Sequence, residues 1–346
     1  MLYLYDVAIV GASAIGCICA RECASLGLKT IVFEEDSRPG KFGKCTAIIS
    51  RRGLDSLGVD YARTTANEVR GADIHAGKAV LRIRSREPIA LVLERQEFDE
   101  ECAAEAEREG AKIVYGQKVS SLDLGSRFVV GADGASSTVA RLARFPEIPA
   151  RKMALAYEAE YEECLLEDEK IVHVFLDGEK FPGFFGWLVP SGRSRARIGF
   201  ATTLHEKQAL GRKAIYEQEV VARALSGKPR KSREFNALIP LAARKQTRKE
   251  NVLLAGDAAG QTKATTGGGI VFGGLCAKVA AQCIAANADY EKAWRSKYGG
   301  ILAAHSFARL ALDKTASLAE GVVALSALAR ANKLLELAGD MDYFVK

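Results

Sequence analysis

Residues 5–35, YDVAIVGASAIGCICARECASLGLKTIVFEE, constrain the fold more than any other stretch of the chain. Val7, Ala8, Ile9 and Val10 make a continuous apolar run, the pattern of a parallel strand covered on both faces. The turn Gly11-Ala12-Ser13-Ala14-Ile15-Gly16 follows, then small residues in a helix to about Leu26, a stop at Gly27, and a second strand over Thr30 to Phe33 that ends at Glu34. This is a βαβ unit carrying the dinucleotide fingerprint. Gly11 makes the tight turn and Gly16 lets the helix lie close to the strand. The helix N-terminus offers free N–H groups and a positive dipole end to a pyrophosphate. Glu34, 23 positions after Gly11, is spaced to accept the hydroxyls of an adenosine ribose. Ser13 stands where the pattern has its middle glycine, a change small enough to admit a pyrophosphate, though less closely. The pattern alone does not choose between NAD and FAD.

The chain's 346 residues suffice for two or three substructures and a sizeable core. Its net charge of +6 argues for no nucleic-acid partner, while it permits contact with phosphate groups or an anionic membrane surface. No apolar run reaches the roughly 18 residues of a membrane span, and the N-terminus enters the first strand directly, so neither a signal peptide nor a transmembrane helix is expected. Eight cysteines without a CxxC pair, several on helical stretches, fit reduced thiols in a cytoplasmic protein. Four scattered histidines support neither a metal site nor a Ser-His-Asp triad.

Beyond Glu34 a Gly/Lys-rich loop carries Cys45, which in an open α/β sheet lies over the ligand crevice, with Lys41 and Lys44 nearby. A helix starts at Arg95 and runs to Gly110. The strand Phe128 to Val130 leads into a glycine turn with Asp133 and a helix begun by Ser136 or Ser137. From about residue 150 the texture becomes alternating and strand-like, interrupted by helix from Glu206 to Ala224, as in an antiparallel sheet domain. Phe181, Phe184, Phe185 and Trp187 cluster there, either as ordinary core or as the apolar wall of a ligand cavity. The Lys/Arg-rich segment 228–249 reads as a solvated face or a membrane-facing one. The α/β texture returns at Asn251 to Ala255, followed by GDAAG and the glycine-opened helix after Gly267, Gly268, Gly269 and Ile270. Two helix N-termini able to grip opposite ends of one anionic ligand suit an extended dinucleotide such as FAD. The expected organisation is an α/β, Rossmann-like FAD-binding domain with a parallel sheet (1–145 and 247–288), an antiparallel substrate-binding sheet domain (146–246) and a C-terminal helical segment (289–346).

GASAIG with Glu34, the Arg95 to Asp99 helix start, GADGASSTVAR and LLAGDAAGQTKATTGGGI occur in the order of the flavoprotein hydroxylase-like FAD fold. Within it the chain resembles the archaeal geranylgeranyl reductase family, through GKCTAIIS, FFGWLVP (similar to that family's Y-x-W-x-F-P motif) and GDAAGQTKATTGGGI. Phe185 replaces the motif's tyrosine and Val189 its second aromatic. The resemblance implies that Gly11, Ser13, Ala14 and Gly16 hold the pyrophosphate and Glu34 the ribose. It implies that Arg95 reaches the phosphates or ribityl chain, that Val119 offers backbone groups to the adenine, and that Asp133 belongs to the DG turn. Asp257 would bind the ribityl or pyrophosphate portion, and Gly268, Gly269 and Ile270 would face the flavin's pyrimidine edge. Cys45, Phe185, Trp187 and Pro190 would line the reacting pocket, with Cys45 relaying a proton. The implied activity is hydride transfer from reduced flavin to an isolated C=C bond of a prenyl lipid, with NAD(P)H or a ferredoxin as electron donor and peripheral contact with a membrane. An FAD monooxygenase of the aromatic hydroxylase class and a non-catalytic flavin carrier are the competing expectations.

Overall fold

A computed structural model describes residues 3–41, 43–203 and 208–314, with side chains to 310. The C-terminal helical expectation is met by helices over Tyr290–Trp294 and Gly300–Lys314, joined by a wider turn at Arg295–Gly299; its remainder, 315–346, lies outside the described residues.

The opening unit forms as its residues dictate. Strand β1 (Tyr5–Val10) has Val7 to Val10 buried, helix α1 (Ala14–Ser25) turns its small residues into the core, and strand β2 (Thr30–Phe33) pairs parallel to β1 with Ala8 opposite Ile31. On the other side of β1 lies strand Ser126–Gly131, also parallel, with Ala8 opposite Val129. The chain thus leaves β1 in one direction first and returns to its other edge later. This reversal opens a crevice beyond the carboxyl ends of the strands, where such folds hold ligands. Strands Lys112–Val114 and Val252–Leu254 extend the parallel sheet, and the short strand Arg248–Lys249 closes one edge antiparallel. Helix α2 (Arg95–Arg108) and helix α3 (Ile270–Ala285) cover α1 on either side.

A second sheet of seven strands runs in the order 230–240, 153–162, 195–203, 186–190, 171–176, 71–76, 79–84. All its pairs are antiparallel except 171–176 with 71–76. Strands 71–76 and 79–84 therefore correct the expected boundary. They fall inside 1–145 in sequence but hydrogen-bond into the substrate-side sheet, because Gly71 to Ala76 pairs with Ile171 to Leu176. A third, three-stranded sheet (48–49, 90–93, 65–69) bridges the two. Strand alternation gives the large sheet two dressed faces. Tyr157, Ala159, Ile198 and Phe200 pack under helices Gln208–Tyr216 and Glu219–Ala224, whereas Ala154, Ala156, Trp187 and Ala201 turn toward Ala264 and the small sheet. Among the described residues no helix is long and apolar enough to cross a membrane, and all eight cysteines are free thiols.

Candidate functional site: a flavin nucleotide cleft

The two helix starts expected at opposite ends of a ligand are in fact neighbours. A Cβ on Gly256 would lie 3.0 Å from Ile15, and one on Gly273 would lie 3.1 Å from it, so the first turns of α1 and α3 pack side by side. Neither helix is capped by the side chain of the residue that heads it, Ser13 for α1 and Gly269 for α3. Glycine is required by contact at the opening turn. Gly11 has φ +100°, and a Cβ there would sit 2.6 Å from Ala132 O; a Cβ on Gly16 would sit 1.8 Å from Gly11 O.

Not all the helix-start N–H groups stand free, however. Glu34 Oε2 accepts the Ala12 N–H at 2.6 Å and its Oε1 the Asp36 N–H at 2.9 Å. Ala14 N–H goes to Asp99 Oδ1 at 3.1 Å. Asp99 is 1% exposed and also accepts both hydrogen bonds from Arg95 Nη2, at 2.9 and 3.0 Å. Burial raises the Asp99 pKa, with the Arg95 charge opposing it. Asp99 lay in the motif stretch, and its spacing of four from Arg95 on one helix face was the available signal for the pair. Val119 is buried in one apolar cluster with Val10, against which Phe33 packs, and the Glu34 carbonyl accepts the Gln117 N–H two positions before it at 2.7 Å.

Asp133 turns inward on its own loop. Its carboxylate accepts Ser137 Oγ–H at 2.5 Å and Val139 N–H at 3.0 Å, while Ser137 caps the helix after it through Ala140 N–H. Both oxygens are thus engaged in building the turn, which fits organising the crevice floor better than direct contact with a ligand. Asp257 sits at the start of α3, where a Cβ on Gly269 would come 2.6 Å from its Oδ1. Loss of solvation pushes the Asp257 pKa up to about 6, despite the opposing charge of Arg95.

Cys45 is half-buried, its sulfur accepting the Ala47 N–H at 3.3 Å. With Gly43, Arg95, Glu160, Arg197 and Arg233 it lines a cavity of about 250 Å³. Its loop is tied to the large sheet at Thr46. Arg197 Nη1 donates to the Thr46 carbonyl at 2.8 Å, and Thr46 Oγ1 hydrogen-bonds Glu158. The aromatic patch follows directly. Phe184 and Phe185 stack at 4.4 Å, and Phe185 meets Trp187 edge-on at 5.8 Å. Phe184 also touches the α3 entry, since a Cβ on Gly267 would be 3.2 Å from its ring. Pro190 does not join them. Three positions beyond Trp187 on one strand, it turns to the other face, and its carbonyl accepts the Asn67 Nδ2 hydrogen bond at 2.9 Å. The C-terminal helix supplies contacts that no motif signalled: His305 Nδ1 lies 2.7 Å from Thr265 Oγ1, and the Arg309 guanidinium covers the Phe184 ring at 4.7 Å.

These residues fit a flavin nucleotide. Arg95 Nε is a buried donor with no hydrogen-bond partner among the described residues, on the cavity it shares with Cys45, and a phosphate or ribityl oxygen would satisfy it. The uncapped starts of α1 and α3 add backbone N–H groups on the same side. A family model described as an FAD binding domain matches residues 78–273, more than half of the chain. The chain belongs to this FAD-binding family. FAD is its cofactor. Among curated relatives, an uncharacterized protein of Methanocaldococcus jannaschii is 27% identical, covering 98% of this chain and 92% of its own. A digeranylgeranylglycerophospholipid reductase of Methanothrix thermoacetophila is 27% identical over 87% of this chain and 85% of its own. Among solved structures, a geranylgeranyl bacteriochlorophyll reductase-like protein of Thermoplasma acidophilum superposes with a TM-score of 0.80 at 22% identity, covering 89% of this chain and 87% of that one, which shows the fold of this FAD-binding protein.

Proposed function

We propose that this FAD-dependent oxidoreductase saturates isolated C=C bonds in the prenyl chains of isoprenoid lipids. The observation that carries the reading is the continuous run Phe184–Phe185–Trp187, which extends from the Gly267 entry of α3 toward the Cys45 loop on one face of the large sheet. An apolar wall that begins at the expected flavin edge suits a hydrocarbon chain laid alongside the cofactor. The archaeal relatives named as digeranylgeranylglycerophospholipid reductases support the same substrate class.

In this reading Gly11, Ser13, Ala14 and Gly16 hold the pyrophosphate, Glu34 exchanges the Ala12 N–H for the ribose hydroxyls, and Val119 borders the adenine. Arg95 and Asp257 bind the phosphate and ribityl portion, Asp133 shapes the turn, and Gly268, Gly269 and Ile270 face the pyrimidine edge. When bound and reduced, FAD supplies the hydride. The N–H dipoles at the α3 start would favour negative charge on a ligand held there. Phe185 and Trp187 orient the alkene and exclude water, which matters because an isolated alkene is a poor hydride acceptor. Cys45 provides the proton for the second carbon. Electrons arrive from NAD(P)H or a ferredoxin, and the protein meets its lipid at a membrane surface as a peripheral, cytoplasmic enzyme.

The test is anaerobic incubation of the chemically reduced, FAD-loaded protein with a geranylgeranyl lipid, followed by mass spectrometry. A mass gain of one H2 per reduced bond with stoichiometric flavin oxidation is expected. Rapid oxygen uptake coupled to NAD(P)H oxidation, without lipid saturation, would favour a monooxygenase instead. Reversible flavin reduction without turnover would favour a carrier.

A further inference from the structure

Trp187, Gly199 and Glu158 form a row across three adjacent strands, Trp187 opposite Gly199 and Gly199 opposite Glu158. A Cβ on Gly199 would lie 2.7 Å from the indole, so only glycine lets the Trp187 ring cross the middle strand. The ring's Nε1–H then reaches Glu158 Oε2 at 2.8 Å, and Thr46 Oγ1 hydrogen-bonds the same oxygen. Glu158 is 1% exposed, and its Oε1 has no partner among the described residues. It stands where the face changes character, with Ala154 and Ala156 on one side of it along the strand and Glu160, paired to Arg197 at 3.2 Å, on the other.

Two protonation states fit this geometry very differently. A carboxylate would bury a charge with one oxygen neither solvated nor paired. A neutral acid can carry its proton on Oε2, donate it to Thr46 Oγ1 and still accept from Trp187. Only a carbonyl oxygen, Oε1, is then left unmatched, a much smaller penalty. Burial raises the Glu158 pKa, and the Thr46 bond, the Arg197 charge and the Trp187 bond only partly offset it. In the neutral state the Thr46 hydroxyl hydrogen is released from Glu158 and can serve another acceptor. Thr46 directly follows Cys45.

We propose that Glu158 is a proton-holding positioning residue that resupplies the Cys45 thiol through the Thr46 hydroxyl, a role that rests on the prenyl-reductase reading. Cys45 gives its S–H proton to the alkene carbon that does not receive hydride, forming the second new C–H bond. The thiolate takes the Thr46 Oγ–H proton as the Glu158 Oε2–H proton moves onto Thr46 Oγ1. Glu158 is left as a carboxylate facing Arg197 and is reprotonated from solvent between turnovers. Both electrons travel with the hydride, so this path moves protons only. The charged groups that set its balance are Arg197 and Glu160 on the neighbouring sheet positions, Arg233 from the edge strand, and Glu94, Arg95 and Cys45 from the segments packed above.

Trp187 makes the protonation visible in the full-length protein without FAD. Its emission is taken as the difference between wild type and Trp187→Phe, titrated from about pH 4 to about pH 9. A single transition above the usual carboxylate range is expected, and it should vanish in Glu158→Gln, which keeps an acceptor for Trp187 and a partner for Thr46. No transition in wild type, or the same transition in Glu158→Gln, overturns the proposal. With FAD loaded and a geranylgeranyl lipid present, Glu158→Gln should show one rapid turnover from the proton already on Cys45. Steady turnover should then be at least about tenfold slower, with KM and FAD content unchanged. Equal slowing of the first turnover marks a structural role and overturns the relay, as does undiminished steady turnover. If the wild-type protein saturates no prenyl lipid, the prenyl reading falls and the Cys45 step with it, while the emission transition still decides whether Glu158 holds the proton.

Discussion

Asp99 reaches across 85 positions to accept the Ala14 N–H at 3.1 Å, placing a buried carboxylate at the very helix start that must receive a diphosphate. The like charges are reconciled by Arg95, which pairs with Asp99 and keeps Nε for another acceptor. Asp99 thereby fixes both the first turn of α1 and the direction of the guanidinium.

Asp99→Ala should therefore act on stability and on cofactor together. It strands Arg95 in a largely buried position, and breaking such a pair from one side costs about 3 kcal/mol. Denaturant unfolding of the protein without FAD checks this. Asp99→Asn, which keeps an acceptor for Ala14, should lose only about 1 kcal/mol. Both variants should bind FAD at least about tenfold more weakly by fluorescence titration. Undiminished FAD affinity in Asp99→Ala would show that Arg95 needs no such support.

Cys45→Ala should leave FAD content and flavin reduction unchanged but slow alkene saturation by about a hundredfold, the lower end of what a positioned acid contributes. Stopped-flow reoxidation of reduced flavin by a geranylgeranyl lipid measures that step alone. A full rate in Cys45→Ala would remove the thiol from the proton path and leave it a wall residue.

Much of the cofactor cleft was legible because it is written in consecutive residues. The Gly11 and Gly16 contacts, the two uncapped helix starts and the placement of Glu34 at the end of β2 all follow from local spacing. What the sequence hid depends on pairings between distant segments. Strands 71–76 and 79–84 read as part of the first domain until Ile171 to Leu176 claims the former as a partner. Glu158 stands among the acids of EAEYEE with no local feature to set it apart until Gly199 lets Trp187 reach it. Pro190 belonged to a motif, yet its phase on the strand turns it from Trp187, which only the register reveals. His305 and Arg309 come from a helix whose sequence carries no signal of the loop it meets.

Gly199→Ala tests the crossing of the middle strand. The added methyl meets the indole at 2.7 Å and the Tyr157 carbonyl at 2.5 Å, an overpacking that costs about 2 kcal/mol. The indole must tilt away and give up its bond to Glu158. Thermal unfolding should register the cost, and Trp187 emission should shift even below the melting temperature. A variant with wild-type emission would mean that the ring never depended on the missing side chain.

Asp257 makes the stability of the fold depend on pH. Its folded-state pKa of about 6 lies above the ordinary value of 3.8, so the folded chain binds this proton more tightly than the unfolded chain does. The stabilising contribution is complete below about pH 4 and is lost as the pH rises through about 6, where the carboxylate ionises in a poorly solvated place. Asp257→Asn removes that charge. Without FAD it should match the wild-type protein near pH 4 and exceed it by about 3 kcal/mol near pH 8, as measured by urea unfolding at the two pH values. The same substitution should weaken FAD binding, because the amide offers the ribityl hydroxyls a poorer acceptor than a carboxylate does. Greater stability with weaker cofactor binding would mark Asp257 as a residue kept for its ligand at the expense of the fold. A variant less stable than wild type near pH 8 would show instead that the carboxylate has a stabilising partner at the α3 start.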